Sequence, residues 1–355
     1  MTLDLTRDPA GLALDLVAIA SPSGQERPLA DALAAALAKA AHLEVLREGD
    51  TVVARTHLGR PERVIVAGHI DTVPPSADLV PALSGGRLWG RGAVDMKAGL
   101  AVMSHLAATL KNPSRDVTWV FYDHEEVARD LNGLRRVIAV RPDWIAGTFA
   151  VLGEPTATRV EGGCNGSLRA EVVLRGKAAH SARAWLGLNA IHAAAPVLTR
   201  LAAYTPGSFE VDGLTYPESM NAVLIEGGSA TNVIPDLCKV TVNYRFAPDK
   251  SVDDAVAHLT AVLAPFEMAV VDRAPAARPG LDAAPARQFA GIVARHGGGE
   301  PVGKVGWTDV AQFAELGIPA LNCGPGSPAL AHSDNEHCPV DQIDRYAAIL
   351  KEWLS

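Results

Sequence analysis

Residues 63–70, RVIVAGHI, form an almost unbroken apolar run that ends on a histidine. A strand with apolar side chains on both faces belongs in the middle of a sheet that is covered on both sides. Such sheets are mostly parallel, and helices connect their strands. The rest of the chain must therefore supply covering helices. Residues 9–20 and 26–41 are rich in Ala and Leu and read as helices, as does 96–111. Ser21-Pro22-Ser23-Gly24 reads as the turn that starts the second of them. LEVLREG, TVVARTH, DVTWVFYD and TFAVLGEP read as further strands. Helices and strands alternating in this way predict a three-layer α/β/α domain.

The pattern changes near residue 165. SLRAEVVLRG alternates as a strand, and LNAIHAAAPVLTRLAAY reads as a helix. MNAVLIEGGS and CKVTVNYRFA read as strands, SVDDAVAHLTAVLAPF as a helix and EMAVVDRA as a strand. The order βαββαβ fits a ferredoxin-like unit, a four-stranded sheet backed by two helices. RAPAARPGLDAAPA reads as the linker back. The expected organisation is a discontinuous larger domain, 1–166 and 280–355, with a smaller domain, 167–279, inserted into it.

With 355 residues, 48% hydrophobic and 20% charged, the composition is that of an ordinary globular protein. A net charge of -8 without a long basic run argues against a nucleic-acid partner. MTLDLTRDPAGLALDL reads as neither a signal peptide nor an anchor. No apolar run reaches the roughly 18 residues of a membrane span. The four cysteines, 164, 238, 323 and 338, form no CxxC pair. They read as small apolar residues in a reducing cytoplasm.

Polar residues gather where strands are expected to end. His69 and Asp71, two apart, share one face of an extended chain. They could form a unit in which the imidazole binds a metal and the aspartate fixes its other N–H, or simply end a strand in solvent. Asp95 lies in the Gly-rich stretch WGRGAVDMKAGLAVM, where it could equally cap a helix. Glu125 and Glu126 in FYDHEEV could be a solvated turn, and Glu154 follows a strand in VLGEP. His332 and His337 stand in the polar stretch ALAHSDNEHCP. Each fragment alone is weak. Four of them sit at strand ends of an α/β sheet, where such folds bind ligands.

Taken in order, GHIDTVP, GRGAVDMKAG, DHEEV, LGEP and AHSDNE resemble the M20 family of metallopeptidases and amidohydrolases along nearly the whole chain. Within that family, VEGGCNGS and HSARAWLGLNAIHAA most resemble the actinobacterial branch that removes succinyl groups from diaminopimelate, a step feeding lysine and peptidoglycan synthesis. The resemblance implies a site for two Zn²⁺, or Co²⁺. His69 and Glu154 would hold one ion, Glu126 and His332 the other, and Asp95 would bridge them. It implies that Glu125 is the general base, taking a proton from the attacking water and delivering it to the leaving amine. Both glutamates can face one site only if the strand ends in a turn, expected at 124–127. A cis peptide is implied at Asp95-Met96.

His180, in GKAAHSARAW, is implied to reach the partner subunit's site in a homodimer formed through the inserted lid domain. Arg245 in VNYRF and Asn232 in TNVIP resemble substrate-binding positions, and Arg suits a carboxylate. A strand-edge charge is the other reading of Arg245. Thr308 in GWTDV and Gly326 in GPGSP are expected to border the cleft. His124, His192 and His337 are not assigned to the site. The expectation is a cytoplasmic dizinc amidohydrolase acting on a small N-acyl amino acid, N-succinyl-LL-2,6-diaminopimelate. The alternatives are acetylornithine deacetylase, another N-acyl amino acid amidohydrolase, a dipeptidase, or a non-catalytic relative.

Overall fold

A computed structural model describes residues 2–75 and 79–355. The chain divides into two compact units. The larger comprises Met1–Gly162, Pro279–Val302 and Gln312–Ser355, and the smaller comprises Gly163–Arg278 and Gly303–Ala311.

In the larger unit, apolar runs become the centre of a mixed sheet. Seven of its eight strands lie in the order Glu44–Glu48, Thr51–Arg55, Asp116–Tyr122, Arg63–His69, Phe149–Leu152, Ala320–Asn322 and Glu161–Gly162, and Val302–Gly303 follows at the edge. The four in the middle, from Asp116–Tyr122 to Ala320–Asn322, run parallel. Alternate residues serve opposite faces. Val52, Ala54, Val64, Val66, Trp119, Phe121 and Val151 join one apolar cluster with the helices Pro9–Ala18, Arg27–Leu37, Lys97–Thr109, Ala284–Arg295 and Val340–Leu354. Val53, Ile65, Ala67, Val120 and Ala150 are as deeply buried outside that cluster. The helix Gly133–Val140 packs against two of these strands. Burial on both faces is why the strands read as continuous apolar runs.

Register then places the chemistry. His69 pairs with Tyr122 on one neighbour, and Ala67 pairs with Leu152 on the other. Parallel strands in register end together. Residues 69–71, 123–126 and 153–154 therefore leave the same carboxyl edge of the sheet, where α/β folds form their ligand crevices.

The smaller unit has a four-stranded antiparallel sheet in the order Ser219–Gly227, Leu237–Phe246, Gly166–Arg175, Met268–Ala274. Numbered along the chain that is 2-3-1-4. The helix Val252–Leu263 starts on a reciprocal cap between Ser251 and Asp254.

Several elements differ from the expectation. The second helix ends at Leu37 rather than 41, in a turn from which His42 Nε2 contacts the Ala107 carbonyl at 2.9 Å. The helix expected over LNAIHAAAPVLTRLAAY is two short ones, Ala190–Ala193 and Ala195–Ala203, with Pro196 in the first turn of the second. A hairpin, Ser208–Val211 with Leu214–Pro217, was not expected, although its Asp212-Gly213 turn is a strong signal. Residues 303–311, expected in the larger domain, group with the smaller unit. There Trp307 Nε1 donates to the Pro275 carbonyl at 3.1 Å, and Asn165 N donates to the Lys304 carbonyl at 3.2 Å.

Candidate metal centre

At the carboxyl edge of the larger sheet, His69, Asp95 and Glu126 each present a ligand atom within 4.8 Å of the others. The Asp95 carboxylate stands between two imidazoles. Its Oδ1 lies 3.0 Å from His69 Nε2, and its Oδ2 lies 3.6 Å from His332 Nε2. His332 Nε2 also lies 2.9 Å from Glu126 Oε1. One carboxylate thus turns a separate oxygen to each of two nitrogen donors. Glu154 is buried two residues past Leu152, beside His69 by register, and outside the group that lies within 4.8 Å.

Asp71 acts on both sides of this cluster. Its carbonyl lies 3.0 Å from His69 Nδ1 and its Oδ1 lies 3.5 Å away, so the ring presents Nε2 to Asp95. Its carboxylate also accepts the amide hydrogens of Glu125 and Glu126, at 3.0 and 3.1 Å, and the Ser23 hydroxyl at 2.7 Å. The i, i+2 spacing does not imply that second job.

The strand carrying the two glutamates stops at Tyr122, and the chain turns over 124–127 as expected. The turn hinges on His124, whose φ of +59° is rare for a residue with a side chain. Its surroundings hold it there. The His124 amide donates to Glu26 Oε1 at 3.3 Å, and its Nδ1 lies 2.7 Å from Asp123 Oδ2. Asp123 is fixed in turn by the Thr51 hydroxyl at 2.6 Å and by Arg136 at 2.7 Å. Glu26 and Asp123 are buried acids that the sequence reading passed over. Glu26 lies just beyond the SPSG turn, and its depth left no local signal.

Acids crowded around imidazoles set the electrostatics. Burial opposes a charge on His69, but Asp71 and Asp95 outweigh it and hold its pKa well above the ordinary value. Hydrogen bonding to Asp95 and Glu126 lifts His332 to about 10. Burial opposes a charge on Asp95 as well, yet His332 and His69 pull its carboxyl well below the usual range. Burial pushes the Lys97 amine down to about 7, and it donates to the Ile19 carbonyl at 2.7 Å. The site favours positive charge. Imidazole nitrogens mixed with carboxylate oxygens are the donor set of zinc and similar first-row ions, so these residues fit a metal centre.

The Asp95-Met96 peptide is cis. Gly326 takes a φ of +90°, and a side chain there would press on Val94 at 3.1 Å, one residue before Asp95. Thr308 is buried in the smaller unit, its carbonyl accepting the Ala311 amide. The exposed His180 sits on a short strand opposite Val233, and its Nδ1 accepts the Ala182 amide at 3.0 Å. The Asn232 carbonyl accepts the Ser181 amide, so these two residues are neighbours. Arg245 is half-buried near the far end of the strand Leu237–Phe246, paired with Ser167 and Ser219. His180 thus belongs to a two-stranded pairing separate from the four-stranded sheet that carries Arg245. All four cysteines are free and buried. His337 stacks against Trp89, with ring centroids 4.4 Å apart.

A parallel-centred sheet that gathers imidazoles and carboxylates at one edge defines a metal-dependent hydrolase. This chain belongs to peptidase family M20/M25/M40, whose model matches residues 65–355, and it is a metal-dependent amide hydrolase. It is 47% identical over 355 residues to a protein of Mycobacterium tuberculosis named putative succinyl-diaminopimelate desuccinylase, covering 99% of each chain. It is 45% identical over 363 residues to the succinyl-diaminopimelate desuccinylase of Corynebacterium glutamicum, covering 99% of this chain and 98% of that one. In fold it resembles a tripeptidase of Staphylococcus aureus, with a TM-score of 0.80 at 21% identity, over 100% of this chain and 98% of the other. It also resembles a protein of Bacillus subtilis described as a dinuclear metal binding peptidase of the M20 family. That TM-score is 0.70 at 18% identity, over 97% of this chain and 96% of the other. Among the described residues no helix is long and apolar enough to cross a membrane.

Proposed function

We propose that this chain is a cytoplasmic, homodimeric succinyl-diaminopimelate desuccinylase that cleaves N-succinyl-LL-2,6-diaminopimelate to succinate and LL-2,6-diaminopimelate. The observation that carries the reading is the match, along nearly the whole length, to two actinobacterial proteins bearing that name. The ligands are His69 and Glu154 for one ion, Glu126 and His332 for the other, and Asp95 between them. The mixed nitrogen and oxygen donors favour Zn²⁺, with Co²⁺ as a substitute. Two such ions when bound polarise the amide carbonyl and make water a nucleophile near neutral pH.

The protein's own groups do the rest. Asp71 holds the Glu125–Glu126 turn, so that Glu126 stays a ligand while Glu125 accepts the proton of the attacking water. Glu125 then returns that proton to the departing nitrogen, the poorer leaving group until protonated. Arg245 and Asn232 bind the substrate's acidic and polar ends, and Thr308 and Gly326 shape the pocket. His180 donates a hydrogen bond to the oxygen that becomes negative during attack.

The dimer reading is supported by the smaller unit alone. Ser219–Gly227 is an edge strand, with Val223, Leu224 and Ile225 exposed at 49%, 61% and 51%. A long apolar edge is a template for pairing with another strand.

The testing experiment is an assay of the zinc-loaded protein against N-succinyl-LL-2,6-diaminopimelate, N-acetylornithine and a set of dipeptides. The reading expects kcat/KM for the succinyl substrate to exceed the others by at least tenfold. Preference for N-acetylornithine would favour the second reading, which rests on 30% identity over 309 residues to the acetylornithine deacetylase of Myxococcus xanthus.

A further inference from the structure

Glu336 is 1% exposed, yet nothing above gives it a task. A carboxylate so deep is stable only when donors surround it. Its Oε1 accepts the amide hydrogens of Val94 at 2.9 Å and Asp95 at 3.2 Å, and its Oε2 accepts from Arg91 at 2.8 Å. The Gly92 amide contributes a further bond. All of these donors lie in the loop that delivers Asp95.

The same residue is continuous with the loop that delivers His332. Strand Arg87–Trp89 pairs with His337–Pro339, Trp89 opposite His337, and the Gly90 amide donates to the Glu336 carbonyl at 3.3 Å. From that pairing one loop runs forward to Asp95 and the other runs back to His332. Arg91 ties them again, donating to the Ser333 carbonyl at 3.2 Å as well as to Glu336. His332 itself sits at φ +62°, a conformation that persists only when neighbours hold it.

We propose that Glu336 is a positioning residue for the metal centre, clamping the Asp95 loop to the His332 loop. It touches neither substrate nor metal. It fixes the two loops before any ion arrives, so that ion binding need not order them. Partners of this kind, one shell out from the ligands, are worth about 10- to 100-fold in metal affinity. The inference rests on reading Asp95 and His332 as ligands.

The test titrates metal-free wild type, E336A, E336Q and R91M with Zn²⁺ against a competing chelator, and records the Co²⁺ absorption spectrum of each. Far-UV circular dichroism of the metal-free proteins checks the fold. E336A should bind both ions about 10- to 100-fold more weakly, with an altered cobalt spectrum and an unchanged metal-free fold. E336Q keeps an oxygen for the Val94 and Asp95 amides but loses the charge that holds Arg91. It should fall between wild type and E336A, and R91M should fall beside it. A folded E336A with wild-type affinity, within threefold, and the wild-type cobalt spectrum overturns the clamp. If E336A does not fold, wild-type affinity and spectrum in both E336Q and R91M overturn it. A wild-type protein that binds fewer than two ions would instead defeat the ligand reading, and the clamp with it.

Discussion

Asp71 accepts the amide hydrogen of Glu126 through Oδ2 at 3.1 Å, while its other oxygen, Oδ1, accepts that of Glu125 at 3.0 Å. A single buried side chain thus holds the backbone of the proposed ligand and of the proposed base, and the backbone carbonyl of the same residue lies 3.0 Å from His69 Nδ1. Asp71→Asn retains one acceptor oxygen and puts an NH₂ group where the other stood, against an amide that needs an acceptor. We expect kcat to fall about 10- to 100-fold, with KM changed less than kcat and two zinc ions still bound. Steady-state kinetics with metal analysis decide it. Wild-type kcat in Asp71→Asn would show that the turn holds without this carboxylate.

Glu125→Gln keeps the shape of the base and removes its proton-accepting charge. Metal content should persist while kcat falls by roughly 10² to 10⁴. If zinc is lost together with activity, Glu125 is a ligand, and the roles of the pair are reversed.

Much of this arrangement was legible in the sequence, and the limit was physical. Periodicity located the central strands because burial on both faces leaves continuous apolar runs such as RVIVAGHI. The acids at strand ends stood out because local composition changes there. What stayed hidden depends on contacts across the chain. Glu26 meets His124 from about a hundred residues away, and Glu336 meets Asp95 across a still longer separation. No local pattern distinguishes a buried, satisfied acid from a surface one. Short elements such as Arg87–Trp89 and His337–Pro339 form because of each other. Periodicity over three residues cannot announce them.

Chelation should abolish activity, and Zn²⁺ or Co²⁺ should restore it. Asp95 faces both His69 and His332, so Asp95→Ala should lose both ions more readily than His69→Ala loses one. Asp95→Ala that still carries two zinc ions after dialysis would refute the bridge.

Metal binding should depend steeply on pH. Asp95 and Glu126 hold His332 at about 10 without metal, and His69 is raised as well. At neutral pH an arriving ion must displace those protons, because a protonated imidazole has no lone pair to give. Protons compete less as pH rises towards 10, so apparent affinity should increase from pH 6 to 8, by about tenfold per unit for each proton displaced. Titration calorimetry in two buffers of different ionisation enthalpy counts those protons. A count of zero would mean that neither imidazole is protonated in the metal-free site.

The last prediction is that His180 acts in trans. Amide hydrolysis passes through a tetrahedral species whose oxygen carries negative charge, and a placed N–H donor can stabilise it by roughly 3 to 4 kcal/mol. His180 is exposed, on a two-residue strand paired with Val233–Ile234. If each site borrows it from the other chain, then His180→Ala and Glu125→Ala are both nearly inactive as homodimers. In a heterodimer of the two, one site combines an intact Glu125 with the partner's intact His180, and the other has neither. A tandem-tagged, purified heterodimer should therefore recover about half the wild-type rate, one site of two being whole. If His180 served its own chain, each site would lack one of the two groups and no activity would return. A heterodimer as inactive as its parents would sink the trans assignment and, with it, the claim that catalysis requires the dimer.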